Sequence, residues 1–151
     1  MSVGSNHEVS GEKVESKGSM SLRWLKAWLP VLLWASMIFY LSSIPGLGTG
    51  LGIWDLILRK CAHLAEYALL TILLWRALRD TTSGWSCGAL RRSAMILAVL
   101  YAVSDEIHQG FVVTRVGSGV DVLIDMLGAA CGLILWLKFG PHSARAPTPP
   151  R

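Results

Sequence analysis

Four long apolar segments, separated by short polar stretches, dominate the chain between residues 22 and 140. Their approximate limits are Trp24–Ile44, Asp55–Leu78, Ser93–Gln109 and Ser118–Phe139. A helix rises about 1.5 Å per residue and a bilayer's hydrocarbon core is about 30 Å thick, so segments of roughly 20 residues can span it. The pattern predicts an all-α, polytopic membrane protein, a bundle of four transmembrane helices with flexible termini.

Local residues indicate where these helices begin and end. Pro30 lies near the start of the first helix, where proline is best tolerated, and SSIPG at residues 42–46 indicates a turn after it. Asp55 is a candidate N-cap for the second helix. The connection of residues 110–117 is short enough to make the third and fourth helices antiparallel neighbours.

The two ends of the chain have a different composition. Residues 1–21 are rich in Ser, Gly, Glu and Lys, and residues 141–151 are rich in proline. Neither stretch can bury enough apolar surface to order itself. The sequence therefore predicts a disordered tail at 1–21, a transmembrane domain at 22–140 and a second disordered tail at 141–151.

Composition supports the membrane class. The chain is 52% hydrophobic and 16% charged, against about 25% charged in soluble domains. Its net charge of +4 comes mainly from Arg and Lys beside the apolar segments. This distribution fits membrane lipid as a partner and gives no reason to expect nucleic acid. Cys61, Cys87 and Cys131 show neither disulfide nor metal spacing, so they are expected to be buried small apolar residues.

Basic residues collect at alternate ends of the predicted helices. One side carries Lys13, Lys17, Arg23, Lys26, Arg76, Arg79, Arg91, Arg92, Lys138, Arg145 and Arg151, and the other carries Arg59, Lys60 and Arg115. The positive-inside rule then places both termini and the second loop in the cytoplasm. The first and third loops are predicted to face outward.

Ionisable residues interrupt the outer ends of helices two, three and four. A charge near the bilayer centre costs about 3 kcal/mol, so such side chains face the bundle interior, a cavity or each other. Helical spacing puts each set on one face: His63, Glu66 and Tyr67; Asp105, His108 and Gln109; Asp121 and Asp125.

One shared polar site at the outer face is the resulting prediction. Its candidate binding residues are Lys60, His63, Glu66, Tyr67, Tyr101, Ser104, Gln109, Arg115, Ser118, Asp121 and Asp125, and its candidate catalytic residues are Asp105, Glu106 and His108. Arg115 is expected to fold over the acidic helix ends. Helix one has no ionisable residue beyond Lys26 and is expected to support the bundle without lining the site.

Structural interpretations compete with these roles. Ser118-x-x-Asp121 also has the form of a capping box, and Gly128-x-x-x-Gly132 favours close helix packing over chemistry. Glu66 could simply pair with a neighbouring cation. Five tryptophans are expected in the interfacial belts: Trp24, Trp28, Trp54, Trp75 and Trp136.

In order along the chain, the polar residues resemble those of the VanZ-like family of bacterial membrane proteins, over about residues 28–137. The matching pattern is Lys60-x-x-His63-x-x-x-Tyr67, Tyr101-Ala-x-Ser104-Asp105-Glu106-x-His108-Gln109, Arg115, Ser118, Asp121 and Asp125-x-x-Gly128. The resemblance implies a multi-pass protein of the bacterial cytoplasmic membrane, with an effect on envelope precursors or on susceptibility to the glycopeptide teicoplanin. Asp125 stands where the family commonly has Asn, and Val112-Val113-Thr114 replaces a Pro-Gly turn.

Three functions fit these residues. The site could bind or modify a lipid-linked or cell-wall headgroup, with Lys60 and Arg115 binding its anionic groups. It could belong to a metal-assisted hydrolase or transferase with Glu106 as general base and His63, Asp105, His108 and Asp121 or Asp125 as ligands, although no compact His-Glu-x-x-His motif is present. It could serve a small proton-coupled transporter, although the cytoplasmic halves of the helices lack ionisable residues. The sequence determines neither a cofactor nor an oligomeric state.

Overall fold

A computed structural model describes residues 6–45, 52–113 and 117–140, with side chains from Met20 onward. These residues form four helices: α1 (Asn6–Ser43), α2 (Ile53–Thr81), α3 (Cys87–Gln109) and α4 (Gly119–Phe139). Each is long and apolar enough to cross a membrane, α1 over Met20–Ser43. The predicted all-α bundle of four transmembrane helices is confirmed, and the described ranges contain no strand.

The helix starts differ from the predicted ones for local reasons. Ser86 caps α3, its Oγ accepting the Ala89 N–H at 3.2 Å, so α3 begins at Cys87 and has 23 residues, enough to span. Gly52, with φ of 61°, occupies the N-cap of α2. Asp55 therefore lies in the first turn of α2 and is not the predicted N-cap, although its charge there still complements the helix dipole.

The first helix also extends further back than predicted. α1 begins at Asn6 and so includes residues 6–21 of the predicted tail. Residues 1–5 and 141–151 of the predicted tails lie outside the described ranges.

Helix α2 occupies the centre of the bundle. It packs most extensively on α4 and also contacts α1 and α3. The α3 surface that faces the bundle is a row of small buried residues four apart, namely Ala94, Ala98 and Ala102. Small side chains let helix backbones approach closely, which is how helices associate in a membrane.

Two glycines bring α4 directly onto α2. A Cβ on Gly132 would lie 2.6 Å from Ala68 Cα, and one on Gly128 would lie 2.8 Å from Leu64 Cα. Both pairs advance by four residues in the same direction, so α2 and α4 run parallel. The prediction that Gly128-x-x-x-Gly132 serves close packing is confirmed.

Trp75 and the cysteines differ from their predicted exposure. Trp75 is only 1% exposed and lies in the core instead of an interfacial belt, because the central position of α2 leaves few of its faces toward lipid. Cys61 and Cys131 are exposed and Cys87 is half-buried, so the expectation of buried cysteines is wrong. For Cys131 the reason is that Gly132, on another face of α4, makes the contact with α2.

Candidate functional site

The helix directions bring a group of polar side chains to one end of the bundle. The C-terminal ends of α1 and α3 and the N-terminal ends of α2 and α4 meet there. We call the following residues the polar network, and this the polar-network end: Ser42, Ser43, Lys60, His63, Asp105, Glu106, His108, Gln109, Ser118, Asp121 and Asp125. The opposite end, with Lys26, Arg76, Arg79, Arg91, Arg92 and Lys138, is called the arginine end.

Two polar pairs join α2 to α4. His63 Nδ1 lies 3.0 Å from Asp125 Oδ1, and these residues are 7% and 1% exposed. One turn closer to the helix starts, Lys60 forms an ion pair with Asp121. Both pairs follow from the parallel register that the two α4 glycines impose.

A second part of the network joins α1 to α3. Ser42 Oγ donates to Asp105 Oδ2 at 2.8 Å, and Gln109 Nε2 donates to the same oxygen at 2.9 Å. Ser43 Oγ lies 3.0 Å from His108 Nε2. Helix α1 thus lines the site, and the expectation that it only supports the bundle is wrong.

The part that α1 plays in the site is hard to predict from the sequence because it consists of hydroxyl groups. Helix α1 contributes the uncharged Ser42 and Ser43 to this end, so a search for charged side chains does not find them. The His108 ring also stacks on Phe39 of α1, with centroids 4.2 Å apart. A serine pair just before a proline indicates a turn, but serines at the end of a membrane-spanning segment are also a signal for hydrogen bonds between helices.

Glu106 connects α3 to the start of α4. The Ser118 backbone N–H donates to Glu106 Oε1, while Ser118 Oγ accepts the Val120 N–H at 3.2 Å. Ser118 is therefore the N-cap of α4, as the capping interpretation predicts. Asp121 is engaged differently, because its carboxylate pairs with Lys60.

Several buried oxygens in the network or next to it have no hydrogen-bond partner among the described residues. They are Asp105 Oδ1, Glu106 Oε2, Asp125 Oδ2 and the Tyr67 hydroxyl. Asp105 is close enough to interact electrostatically with both His63 and Asp125, so the α1–α3 and α2–α4 parts lie together. Buried polar atoms are normally paired, which makes this group the exceptional feature of the fold.

Some predicted site residues make other contacts. Ser104 is exposed and its Oγ donates to the Tyr101 carbonyl, while the Tyr101 hydroxyl donates to the Ala35 carbonyl at 2.6 Å. Glu66 is half-buried beside the network. Arg115 lies outside the described residues, so its expected position over the acidic helix ends stays a prediction.

A groove between α3 and α4 reaches this end from the side of the bundle. It measures about 390 Å³ and is lined by Val103, Glu106, Ile107, Gly110, Gly117, Ser118, Gly119 and Val122. Its walls are mainly apolar, and Ile107 is 60% exposed, so the groove opens on the outer surface of the bundle. A Cβ on Gly117 would lie 3.0 Å from the Glu106 carbonyl oxygen, which shows how closely the chain passes there.

Comparison with known protein families gives a match over most of the chain. Residues 5–140 match the VanZ/LLP1 family. The chain belongs to the VanZ/LLP1 family. Comparisons with curated proteins and with solved structures found no match. The resemblance predicted from the polar residues is therefore confirmed, and the protein is a VanZ-like membrane protein.

The fold of this chain distributes the suggested metal ligands among different partners. His63 contacts Asp125, Asp121 pairs with Lys60, and the His108 ring contacts α1. Within the described ranges, no three His, Cys, Asp or Glu side chains group in a way that could hold a metal ion. The metal-assisted hypothesis therefore stays a prediction from the sequence.

Proposed function

We propose that this VanZ/LLP1 protein binds the headgroup of a membrane-embedded amphiphile, of lipid-linked or cell-wall-precursor type, at the polar-network end. One observation carries the proposal: Asp105, Glu106 and Asp125 are buried, and each has a carboxyl oxygen without a partner among the described residues. Leaving a buried acceptor unpaired costs about 1–3 kcal/mol. A ligand that supplies donors there would recover that free energy.

The chemistry of the network favours a ligand rich in hydrogen-bond donors. Lys60, which the sequence suggested for anion binding, is engaged with Asp121. The unpaired atoms of Asp105, Glu106 and Asp125 are carboxyl oxygens. Hydroxyl, amide or ammonium groups therefore suit the site, and the sugar and peptide parts of cell-envelope precursors carry such groups. A phosphate contact would fall to Arg115.

The groove between α3 and α4 provides a route for such a ligand. Val103, Ile107 and Val122 give it apolar walls, and Glu106 and Ser118 give it a polar end. An apolar tail would stay against the walls while its headgroup reaches Glu106. A site that opens sideways suits a ligand that diffuses within the bilayer.

Native mass spectrometry of gently extracted protein tests this binding. The wild type should retain an amphiphile, and Glu106→Gln should reduce its occupancy about tenfold, as expected for losing about 1.4 kcal/mol of interaction. Asp80→Asn, the same change in a carboxylate at the arginine end, should retain it. Ile107→Trp fills the groove from an exposed position and should also reduce occupancy. Equal retention by all four proteins would contradict the proposal.

The membrane orientation forms part of the proposal. The positive-inside rule places the arginine end in the cytoplasm and the polar network toward the outer face. In a variant without native cysteines, a cysteine at the exposed Val113 should react with an impermeant reagent in intact cells, whereas one at the exposed Ser83 should not. Labelling of Ser83 alone would reverse the orientation and place the site on the cytoplasmic side.

A catalytic role is a second candidate, favoured by the His63–Asp125 pair. Asp125 holds His63 Nδ1 at 3.0 Å, an arrangement that orients an imidazole so that Nε2 can accept a proton. In that case, His63→Gln should retain the bound amphiphile but lose its conversion.

Capture or conversion of envelope precursors would also alter the susceptibility of cells to glycopeptides such as teicoplanin. Asp105→Asn should abolish that effect in cells, while the variant protein remains inserted in the membrane and monodisperse.

A further inference from the structure

The arginine end has a groove of its own, distant from the polar network. It measures about 580 Å³ and lies between the α2–α3 connection and the first turns of α3. Its lining consists of Gly84, Trp85, Ser86, Ala89, Arg92, Ser93 and Ile96. Ala89, Arg92, Ser93 and Ile96 recur at spacings of three and four, so they form one face of α3.

Polar groups lie at the end of this groove that is next to the α2–α3 connection. Arg92 Nη1 and Ser86 Oγ each lie 3.9 Å from the point where a Cβ on Gly88 would stand. The guanidinium thus reaches back along α3 toward the loop, and the missing side chain of Gly88 leaves room beside it. Arg92 forms no ion pair with any other described residue. A cation and a hydroxyl of the groove lining therefore lie on the same side of the first turn of α3.

The opposite end of the groove is apolar and continues along the helix. Ile96, Leu100, Val103 and Ile107 are 57%, 60%, 40% and 60% exposed and follow one another by three or four residues. From Ile96 to Ile107 this stripe covers about 16 Å. That is about half of a hydrocarbon core of about 30 Å, the depth of one leaflet, so one acyl chain can follow it. Trp85, 45% exposed, lies at the level of the polar groups, as interfacial tryptophans do.

We propose that this groove is a binding site for an anionic phospholipid, with the headgroup phosphate against Arg92 and one acyl chain along Ile96 and Leu100. Charge complementarity selects this occupant, because Arg92 lines the groove and the exposed Arg91 precedes it on α3. A guanidinium can bind two phosphate oxygens at once. The site is separate from the polar network, whose unpaired atoms are acceptors, and it does not depend on the function proposed above.

Native mass spectrometry of the full chain in nanodiscs of phosphatidylglycerol and phosphatidylcholine tests the site. The wild type should retain phosphatidylglycerol in preference to phosphatidylcholine. Arg92→Gln should reduce the retained phosphatidylglycerol by about fivefold, whereas Arg91→Gln should change it by less than about twofold. Arg91 is the matched control because it is adjacent, exposed and equally charged but does not line the groove.

Three results would overturn the proposal. Equal losses in Arg91→Gln and Arg92→Gln would show general attraction to a basic surface, and equal retention of both lipids would show no headgroup recognition. Displacement of phosphatidylglycerol by millimolar inorganic phosphate would show a site for free phosphate. If Arg92→Gln is not folded, photo-crosslinking of the wild type with a phosphatidylglycerol that carries a diazirine in its acyl chain decides the matter, since crosslinks should fall within residues 85–100.

Discussion

The two ends of the bundle place charge in opposite surroundings. At the polar-network end, Asp105 and Asp125 are 3% and 1% exposed and contact side chains from other helices. At the arginine end, Arg91 and Arg92 are exposed, and Asp80 pairs with the adjacent Arg79 of its own helix. Charge at the first end joins helices to one another. Charge at the second end faces the surroundings of the bundle.

This difference predicts different physical behaviour at the two ends. Buried hydrogen bonds and ion pairs act in a low dielectric, so they are strong when complete and costly when one partner is missing. Exposed charges are screened by salt and contribute little to stability, but they attract ligands of opposite charge. Substitutions at the polar-network end should therefore change the stability of the bundle. Those at the arginine end should mainly change what it binds.

Helix α3 connects the two regions. Its exposed apolar stripe begins at Ile96, in the groove beside Arg92, and ends at Val103 and Ile107, which line the groove beside Glu106. Both proposed ligands would therefore lie on the lipid-facing side of α3, with headgroups at opposite ends. Because the headgroup contacts differ in sign, with a cation at one end and acceptors at the other, the ends should select different amphiphiles.

Disturbing the α2–α4 contact should have the largest effect, because the His63–Asp125 and Lys60–Asp121 pairs depend on it. Leucine at Gly132 would collide with the Ala68 backbone, which cannot move aside as a side chain can. Overpacking costs about 1–3 kcal/mol, and a collision with backbone should reach or exceed that range. Thermal unfolding in mild detergent measures the loss.

Gly119→Leu is the matched control for this substitution. A Cβ on Gly119 meets nothing within 4 Å, so the added side chain should change stability little. Equal destabilisation by Gly119→Leu and Gly132→Leu would show that α4 does not pack through Gly132, and the register argued for the polar pairs would fail with it.

Removing a buried partner should have the next largest effect. Asp125→Ala leaves His63 buried without its described partner and should destabilise the bundle by about 3 kcal/mol. Asp121→Ala, which breaks a pair whose side chains are 29% and 18% exposed, should cost about 1 kcal/mol or less. The same unfolding assay ranks the two. A reversed order would mean that the His63–Asp125 pair does not stabilise the fold.

Two serine substitutions compare a network hydroxyl with a surface hydroxyl. Ser42→Ala removes a donor to the buried Asp105 and should cost about 1–2 kcal/mol. Ser104→Ala removes an exposed bond within α3 and should change stability by less than about 0.5 kcal/mol. Similar stability changes for the two substitutions would show that the Ser42 hydroxyl does not stabilise the contact between α1 and α3.

The four membrane-spanning segments and most positions of the polar network could be predicted, because both follow from patterns within a single stretch of sequence. Span length follows from the apolar runs, and helical spacing puts Asp121 and Asp125 on one face without knowledge of their partners. The partners themselves depend on helix rotation. Ser42 and Asp105 are 63 residues apart, and nothing near either residue indicates that they meet. The sequence also could not show that the polar residues form separate pairs, His63 with Asp125 and Lys60 with Asp121.

The predicted start of α3 and the predicted position of Trp75 were wrong for related reasons. Arg91 and Arg92 lower the apolar signal in the first turns of α3, so the predicted start came late, although Ser86 is a good N-cap residue. Trp75 was placed in a belt because tryptophan is common there, but which face of α2 is buried follows from all its neighbours. These are tertiary properties, and a single sequence records them only weakly.

The smallest expected effect tests the arginine end. The Arg79–Asp80 pair has a contact distance of 3.2 Å, Asp80 is 40% exposed, and the two residues are adjacent in sequence. Such a pair contributes little to the packing of the bundle, so Asp80→Asn should change stability by only about 0.2 kcal/mol, the low end of the range for exposed ion pairs. Raising the salt concentration should shrink that change further, because exposed charges are screened. The cost of Asp125→Ala should persist at the same salt concentration, since its partner is buried. If Asp80→Asn proved as costly and as insensitive to salt as Asp125→Ala, charge would have the same role at both ends, and the contrast between them would be lost.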